Sequence, residues 1–193
     1  MSEKVRIPLT EAEALAVEVI ELLQETCEHI EVLGSIRRRK PTVGDIEIGC
    51  IPRFREGDAV GLFGDVGDPV NMQFEAIRQL RSAGVFGDRL DVNGRPACGE
   101  RFQRLLCKGF ALDVFSCLEP AQWGVIKLIR TGSGDFNKRF VLQWSQGGKI
   151  LRAGMQIRDG ALYDRGVLVP TPEEIDVFKA VGLAYLEPWE RET

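Results

Sequence analysis

Three acidic residues within apolar segments are the residues of this sequence best suited to chemistry. Asp45 and Glu47 alternate with apolar residues in segment 45–51, which places both side chains on one face of a predicted strand. Asp113 interrupts a second apolar segment, 110–115, in the same way. Neighbouring carboxylates repel one another unless a cation compensates them, and Mg²⁺ prefers oxygen ligands. Alternation alone favours a divalent-metal site and three solvent-facing carboxylates about equally.

A glycine-serine turn followed by basic residues precedes the first acidic pair. Gly34 and Ser35 lead into residues 36–40, of which the last four are all basic. A turn that enters a helix offers free backbone N–H groups to an anion, and arginines add bidentate donors. Phosphoryl transfer depends mostly on positioning and charge neutralisation, so it needs phosphate donors beside metal ligands. The segment therefore favours a phosphoryl-transfer site.

Hydrophobic periodicity predicts the elements that must position these residues. Helices are expected from residue 10 to about 27–29 and from 71 to 83, the second capped by Asn71. Strands are expected at 31–33, 45–51, 101–107 and 110–117, while 52–69 is expected to be a glycine-rich loop and 89–100 a connector. Beyond Glu119-Pro120, helices are expected at 123–130, 136–144 and 171–181, with short strands between the last two.

Composition limits the classes of function. The 193 residues are 44% apolar and 28% charged, as is usual for soluble globular proteins, and no run approaches the roughly 20 apolar residues of a membrane helix. We expect a cytoplasmic protein with no membrane partner and no secretory signal. The five cysteines form no CxxC pair and there is one histidine, so a metal site must rest on carboxylates.

Charge is distributed unevenly along the chain. The net charge of −4 argues against a nucleic-acid partner, yet residues 121–170 carry eight basic and three acidic side chains. Such asymmetry is expected of a protein that holds both metal and nucleic acid, and the alternative is a solvated face of mixed charge. The leading candidates for DNA contact are Lys127, Lys138, Arg139, Lys149 and Arg152.

Five motifs, in order over nearly the whole chain, resemble those of DNA polymerase beta and its family X relatives. Segment 34–47, with its glycine-serine turn and Gly44-Asp45-Ile46-Glu47, resembles the nucleotidyltransferase signature. Segments 6–8, 111–115, 131–138 and 187–191 resemble the palm entry, the third-carboxylate strand, the nucleotide-pocket motif of the thumb and the C-terminus. The resemblance implies an α+β fold: a nucleotidyltransferase palm with a small mixed β-sheet flanked by helices over 1–118, and a small α/β thumb over 119–193.

The resemblance also implies roles for individual residues. Asp45, Glu47 and Asp113 are expected to be catalytic and to hold two divalent ions, Mg²⁺ or alternatively Mn²⁺, with Asp113 helping to activate the primer 3′-hydroxyl. The residues expected to bind the incoming nucleotide are Arg6, Gly34, Ser35, Arg38 and Gly44 at the triphosphate, Thr131, Gly132 and Ser133 at the sugar, and Asn137 at the base edge. Lys138 is expected to lie against the template.

The resemblance implies a DNA-directed DNA polymerase of the repair type, acting as a monomer in the minimal form with palm and thumb only. It would transfer a deoxynucleotide from dNTP to the 3′-hydroxyl of a primer-template or gapped DNA, releasing pyrophosphate. Several residues depart from the family pattern: Glu47 for aspartate, Ala111 for a bracing arginine, Ile129 and Arg130 for an aromatic pair, and Val141 for an arginine. Two alternatives stay open: a nucleotidyltransferase with a non-templated or non-DNA acceptor, and a DNA-binding module without a competent site.

Overall fold

The computed structural model describes residues 5–60, 65–90, 93–142, 148 and 150–191. Within these residues, the alternating and helical hydrophobic patterns of the sequence correspond to thirteen strands and six α-helices. The helices are α1 (Leu9–Leu23), α2 (Gly34–Arg37), α3 (Met72–Ser82), α4 (Trp123–Thr131), α5 (Gly134–Val141) and α6 (Glu174–Val181). The strands are β1 (Ile7–Pro8), β2 (Cys27–Val32), β3 (Thr42–Val43), β4 (Ile46–Pro52), β5 (Phe54–Val60), β6 (Asp65–Asn71), β7 (Phe86–Asp88), β8 (Cys98–Gly99), β9 (Phe102–Cys107), β10 (Phe110–Ser116), β11 (Met155–Arg158), β12 (Ala161–Asp164) and β13 (Val167–Val169).

A six-stranded mixed sheet carries the acidic residues. Its strand order is β2-β4-β10-β9-β7, with β8 paired to β9. Strands β4 and β10 run parallel, whereas the other neighbours are antiparallel. The two strands that bear the predicted catalytic carboxylates are therefore adjacent at the centre of the sheet, and the expected mixed sheet flanked by helices is confirmed.

One hydrophobic cluster fixes the sheet against the long helices. In α1 the buried residues are Ala12, Ala16, Val19 and Leu23, spaced to form one helical stripe. This stripe belongs to the same cluster as Ile46 and Ile48 of β4 and Leu112 and Val114 of β10. Because side chains alternate along a strand, Glu47 and Asp113 lie on the opposite face of the sheet from this cluster.

A second hydrophobic cluster lies in the C-terminal part of the chain. It joins α4, α5 and α6 to the three-stranded sheet β11-β12-β13, with the rings of Phe136, Phe140 and Phe178 packed on one another. Ser133 caps α5 by accepting a hydrogen bond from the backbone N–H of Phe136 at 3.3 Å. The C-terminal part is thus a small α/β unit with its own core, while the boundary near residue 118 stays a prediction.

Two sequence-based expectations differ from the structure. Residues 54–60 and 65–71 pair as an antiparallel hairpin instead of forming a loop, and at Gly57 an added Cβ would lie 2.3 Å from the carbonyl oxygen of Asp68. Glycine there permits the close approach of the two backbones. Helix α1 ends at Leu23, and Cys27–Val32 is a strand because pairing with β4 overrides its helical preference. The Asn71 cap is confirmed by the hydrogen bond that its side chain accepts from the Phe74 N–H.

None of the helices in the described part of the chain is both long enough and apolar enough to cross a membrane.

Candidate active site

Two of the three predicted catalytic carboxylates lie side by side on neighbouring strands. Glu47 of β4 and Asp113 of β10 are register partners in the parallel pair. Asp45 immediately precedes β4, two residues from Glu47 and on the same face. The Asp113 side chain is only 10% exposed, although it lies on the face of the sheet opposite the hydrophobic cluster. The parallel register therefore gathers acidic side chains at one place.

The electrostatics of this acidic group favour a cation. Burial, together with the charges of Asp45 and Asp113, raises the pKa of Glu47 to about 7, although Arg38 and Arg130 oppose the rise. Burial also raises the pKa of Asp113, against the lowering effect of its arginine neighbours. Negative charge is therefore incompletely compensated here, which is the situation that a bound divalent cation relieves.

The glycine-serine turn is fixed against β4 by a close contact. Gly34 begins α2 with a φ of +62°, a conformation that favours glycine, and the Leu33 N–H donates to the Glu47 carbonyl at 2.7 Å. A Cβ added to Gly34 would lie 1.7 Å from Glu47 Oε2. Glycine is therefore required at residue 34 by both backbone conformation and space, and the turn holds the Glu47 side chain beside it.

Beside this turn is an open pocket of about 480 Å³. Its lining residues are Arg6, Ser35, Arg38, Lys40, Pro41, Thr42, Gly44, Asp45 and Glu47. Ser35 Oγ is buried and has no hydrogen-bond partner among the described residues. Arg6 is held at the rim by hydrogen bonds to Thr42 Oγ1 at 3.0 Å and to the Thr42 carbonyl at 2.6 Å. Basic side chains and an unsatisfied hydroxyl beside carboxylates suit a phosphate group accompanied by metal.

The predicted sugar-pocket residues lie next to this pocket but not in its lining. Thr131 is fully buried, its Oγ1 accepts from Arg37 at 2.6 Å, and its carbonyl accepts from Arg38. Gly132 follows with a φ of +77°, where an added Cβ would lie 3.0 Å from Arg38 Nη1. Arg38 therefore links the pocket to the turn at residues 131–133.

Ser133 and Asn137 are held by contacts within the protein. Ser133 Oγ donates to the Arg191 carbonyl at 2.7 Å, in addition to capping α5. Asn137 Nδ2 donates to the Ile129 carbonyl at 2.6 Å, while its Oδ1 is buried without a hydrogen-bond partner in the described part of the chain. The Oδ1 atom of Asn137 can thus accept a hydrogen bond from a donor outside the described residues, such as a bound ligand.

The basic residues predicted to contact DNA differ in how exposed they are and in whether an acidic side chain pairs with them. Lys138 is 71% exposed and pairs with Asp135 at 3.0 Å, and Arg152 is also exposed. Arg139 on α5 is half-buried. Lys127 differs, because its ammonium group forms an ion pair with Glu31 at 2.7 Å and the side chain is 16% exposed. Lys149 lies outside the described residues.

A buried charge network that the sequence analysis missed joins the glycine-serine turn to α6. Arg37 Nη2 lies 2.6 Å from Glu174 Oε2, and Arg191 Nη1 lies 2.6 Å from Glu174 Oε1. Tyr185 OH donates to the same carboxylate at 2.9 Å. Despite burial, the two arginines hold the pKa of Glu174 at about 2. Residues 37 and 174 are 137 positions apart, so no local pattern could have indicated this contact.

Three further arginines surround the acidic group. Arg89 and Arg104 form ion pairs with Asp113, and the guanidinium group of Arg130 lies 4.1 Å from the centre of the Phe115 ring. The position of Arg104 could have been suspected, because alternation in β9 places it on the same face as the acidic residues. Arg89 and Arg130 depend on how a connector and a helix pack, which the sequence does not show.

The donor set suits a hard divalent cation. Asp45, Glu47 and Asp113 offer only carboxylate oxygens, the ligands that Mg²⁺ prefers. Within the described ranges, no three His, Cys, Asp or Glu side chains stand close enough together to hold a metal ion as they are. Asp45 and Asp113 nevertheless raise the pKa of Glu47, and Asp45 raises that of Asp113, so the three carboxylates share one electrostatic site. The carboxylate oxygens therefore suit the expected Mg²⁺, but the described side chains do not already stand in position to surround an ion.

Comparison with known proteins finds similarity to DNA polymerases, which agrees with a site of carboxylates beside a pocket that suits a phosphate group. Residues 127–192 match the family model described as DNA polymerase beta thumb. Over 172 residues the chain is 29% identical to DNA polymerase lambda from Rattus norvegicus, an alignment that covers 82% of this chain and 28% of that relative. The chain thus spans less than a third of the length of the relative that it matches.

The mixed sheet with its acidic residues is thus followed by a C-terminal part that is similar to a polymerase thumb. More specifically, residues 127–192 resemble the DNA polymerase beta thumb, and most of the chain is distantly homologous to DNA polymerase lambda of family X.

Proposed function

We propose that this protein is a DNA-directed DNA polymerase of the repair type that works by two-metal nucleotidyl transfer. The observation that supports this most strongly is the in-register pairing of Glu47 with Asp113, beside the pocket that contains Ser35 and Arg38. Asp45, Glu47 and Asp113 would hold two Mg²⁺ or Mn²⁺ ions. When bound, such ions supply charge stabilisation to the attacking and leaving oxygens of a phosphoryl transfer.

The pocket residues would bind and orient the triphosphate of a dNTP. Ser35 Oγ has no hydrogen-bond partner within the described part of the chain, and Arg38 and Arg6 add positive charge to the pocket lining. Asp113 would accept the proton of the primer 3′-hydroxyl. The freed oxygen then bonds to the α-phosphorus, the bond from that phosphorus to the bridging oxygen breaks, and pyrophosphate leaves with the electron pair.

The thumb residues would hold the nucleoside and the DNA. Arg38, which lines the pocket, donates to the Thr131 carbonyl, and Gly132 and Ser133 follow directly in the chain. Asn137 Oδ1, which has no partner among the described residues, would accept from a base edge. Among the DNA-contacting candidates, exposed Lys138 and Arg152 and half-buried Arg139 remain in the proposed set, whereas Lys127 is engaged by Glu31.

A primer-extension assay tests this proposal. We expect dNTP addition in Mg²⁺ or Mn²⁺ when a template strand is annealed, and almost none without the template. Asp113→Ala should reduce addition by at least about 100-fold, because it removes a ligand of the catalytic ion. Circular dichroism and DNA binding of this variant should stay close to those of the unmodified protein.

Each other outcome has a distinct meaning. Equal extension without a template would favour a nucleotidyltransferase with a non-templated acceptor, the alternative function. DNA binding without any nucleotide transfer in either metal would contradict both functions and leave a binding module. Near-normal transfer by Asp113→Ala would show that the metal assignment is wrong.

A further inference from the structure

The carboxylate of Asp113 is held by two arginines from other segments of the chain. Arg89 Nη1 donates a hydrogen bond to Asp113 Oδ1 at 3.1 Å, whereas Arg104 Nε, 3.5 Å from the same oxygen, forms an ion pair with it but no hydrogen bond. The Arg89 side chain is 22% exposed and that of Asp113 10%, so solvent screens this pair less than it screens a surface ion pair. Both contacts involve Oδ1, and neither involves Oδ2.

Backbone pairing positions both arginines. Arg104 is the antiparallel register partner of Asp113 on β9, which places the two side chains on the same face of the sheet. Arg89 directly follows β7, and its N–H donates to the Arg104 carbonyl at 3.4 Å. The Arg104 N–H donates in turn to the Ala97 carbonyl at 2.8 Å. Arg104 therefore extends from a strand, and Arg89 from the residue that directly follows one.

No basic residue of β10 itself can perform this task. Ala111 and Phe115, two residues on either side of Asp113, share its face of the strand and carry no charge. The compensating charge has to come from neighbouring segments, and β9 and the end of β7 provide it. A carboxylate with one oxygen fixed by such partners presents its second oxygen in a defined direction.

We propose that Arg89 and Arg104 are positioning residues that fix Asp113 Oδ1 and leave Oδ2 to bind a divalent cation. This inference rests on the proposed function only in taking Asp113 as a metal ligand. Hydrogen-bond partners that orient a metal-binding carboxylate commonly change metal affinity by 10–100-fold when they are removed. An arginine that competed with the metal for Asp113 would have the opposite effect on affinity, so the two roles can be distinguished.

Mn²⁺ titration followed by electron paramagnetic resonance, without DNA or nucleotide, tests the inference. We expect Arg89→Gln to weaken Mn²⁺ binding by about 10-fold or more. Arg89→Lys should recover part of the affinity, because lysine keeps the charge but not the planar pair of donors. The matched control is Arg101→Gln, which removes a 62% exposed arginine that lies 3.9 Å from Glu119, and it should leave Mn²⁺ affinity unchanged.

A double-mutant cycle separates positioning from a general structural effect. If Arg89 acts through Asp113, Arg89→Gln should cause no further loss of Mn²⁺ affinity in an Asp113→Asn background. Unchanged or tighter Mn²⁺ binding by Arg89→Gln would overturn the proposal, as would full additivity of the two substitutions. Absence of Mn²⁺ binding by the unmodified protein would contradict the metal site of the proposed function, and this inference with it.

Discussion

Among individual residues, Glu47 is an acidic side chain whose buried surroundings disfavour its charged form. Its side chain lies against Gly34, where no Cβ could be accommodated, and its carboxylate shares a buried face with Asp45 and Asp113. Neighbouring arginines offset only part of the cost of ionising it. In the protein without metal, a substantial fraction of Glu47 is therefore protonated near neutral pH.

This environment predicts an unusual pH dependence of stability in the metal-free protein. The pKa of Glu47 rises from 4.5 to about 7 on folding, so between these values the folded state binds more protons than the unfolded state. The free energy of unfolding should therefore fall as the pH rises through this range, by on the order of 3 kcal/mol in total. Urea unfolding in EDTA from about pH 5 to about pH 8 measures the change.

Glu47→Gln is the matched variant, because it keeps the shape of the side chain and removes the titration. Most of the fall in stability with pH should disappear in it. The same pH dependence in both proteins would show that Glu47 is not the group responsible.

At the scale of secondary-structure elements, the charge network at Glu174 connects α2 to α6 and to the C-terminal segment. Arg37 lies in the helix that presents Ser35 to the pocket, and it also contacts Thr131 at the end of α4. Arg191 is fully buried. One carboxylate thus fixes the glycine-serine turn relative to the thumb, and the pocket geometry depends on it.

Glu174→Gln should destabilise the protein by about 3–5 kcal/mol, because it leaves two buried arginines without their anionic partner. Asp135→Asn removes an exposed carboxylate, 82% accessible and paired with Lys138, and should cost far less stability, because solvent screens such a surface pair. Urea unfolding at neutral pH compares the two. A loss in Glu174→Gln no larger than that in the control would show that the network contributes little to stability.

On the scale of the whole molecule, a chain of net charge −4 is proposed to bind DNA through a local basic surface on its thumb. Charges are screened over about 8 Å at physiological salt, so distant acidic residues have little effect on phosphate binding there. Lys138 on α5 and Lys179 on α6 provide a matched comparison. Each is exposed and pairs with an aspartate three positions earlier, at 3.0 Å and 3.2 Å respectively.

Lys138→Gln should reduce the slope of log affinity against log salt for duplex DNA by about 0.9, the effect of losing one phosphate contact. Lys179→Gln should leave the slope almost unchanged, because residue 179 lies outside the basic segment. Fluorescence anisotropy across a salt series measures both slopes. An equal effect of the two substitutions would argue against a DNA surface centred on α5.

The mixed sheet was implied by the family resemblance, whereas the residue pattern alone predicted the strands at 45–51 and 110–117, the Asn71 cap and the three acidic residues as candidates. These features depend on periods of 2 and 3.6 residues and on neighbouring side chains, which short segments carry by themselves. The hairpin at 54–71 was missed because its glycines lower the local strand preference, and pairing of the two segments decides the structure there.

Tertiary structure decided which candidate residues meet. The parallel register places Glu47 beside Asp113, and strand pairing brings Arg104 and Arg89 to the same carboxylate. The contact of Arg37 with Glu174 spans 137 residues. Such contacts form when separate hydrophobic faces are buried together, and burial then makes each unpaired charge costly enough to require a partner. No residue's immediate neighbours in the sequence contain that information.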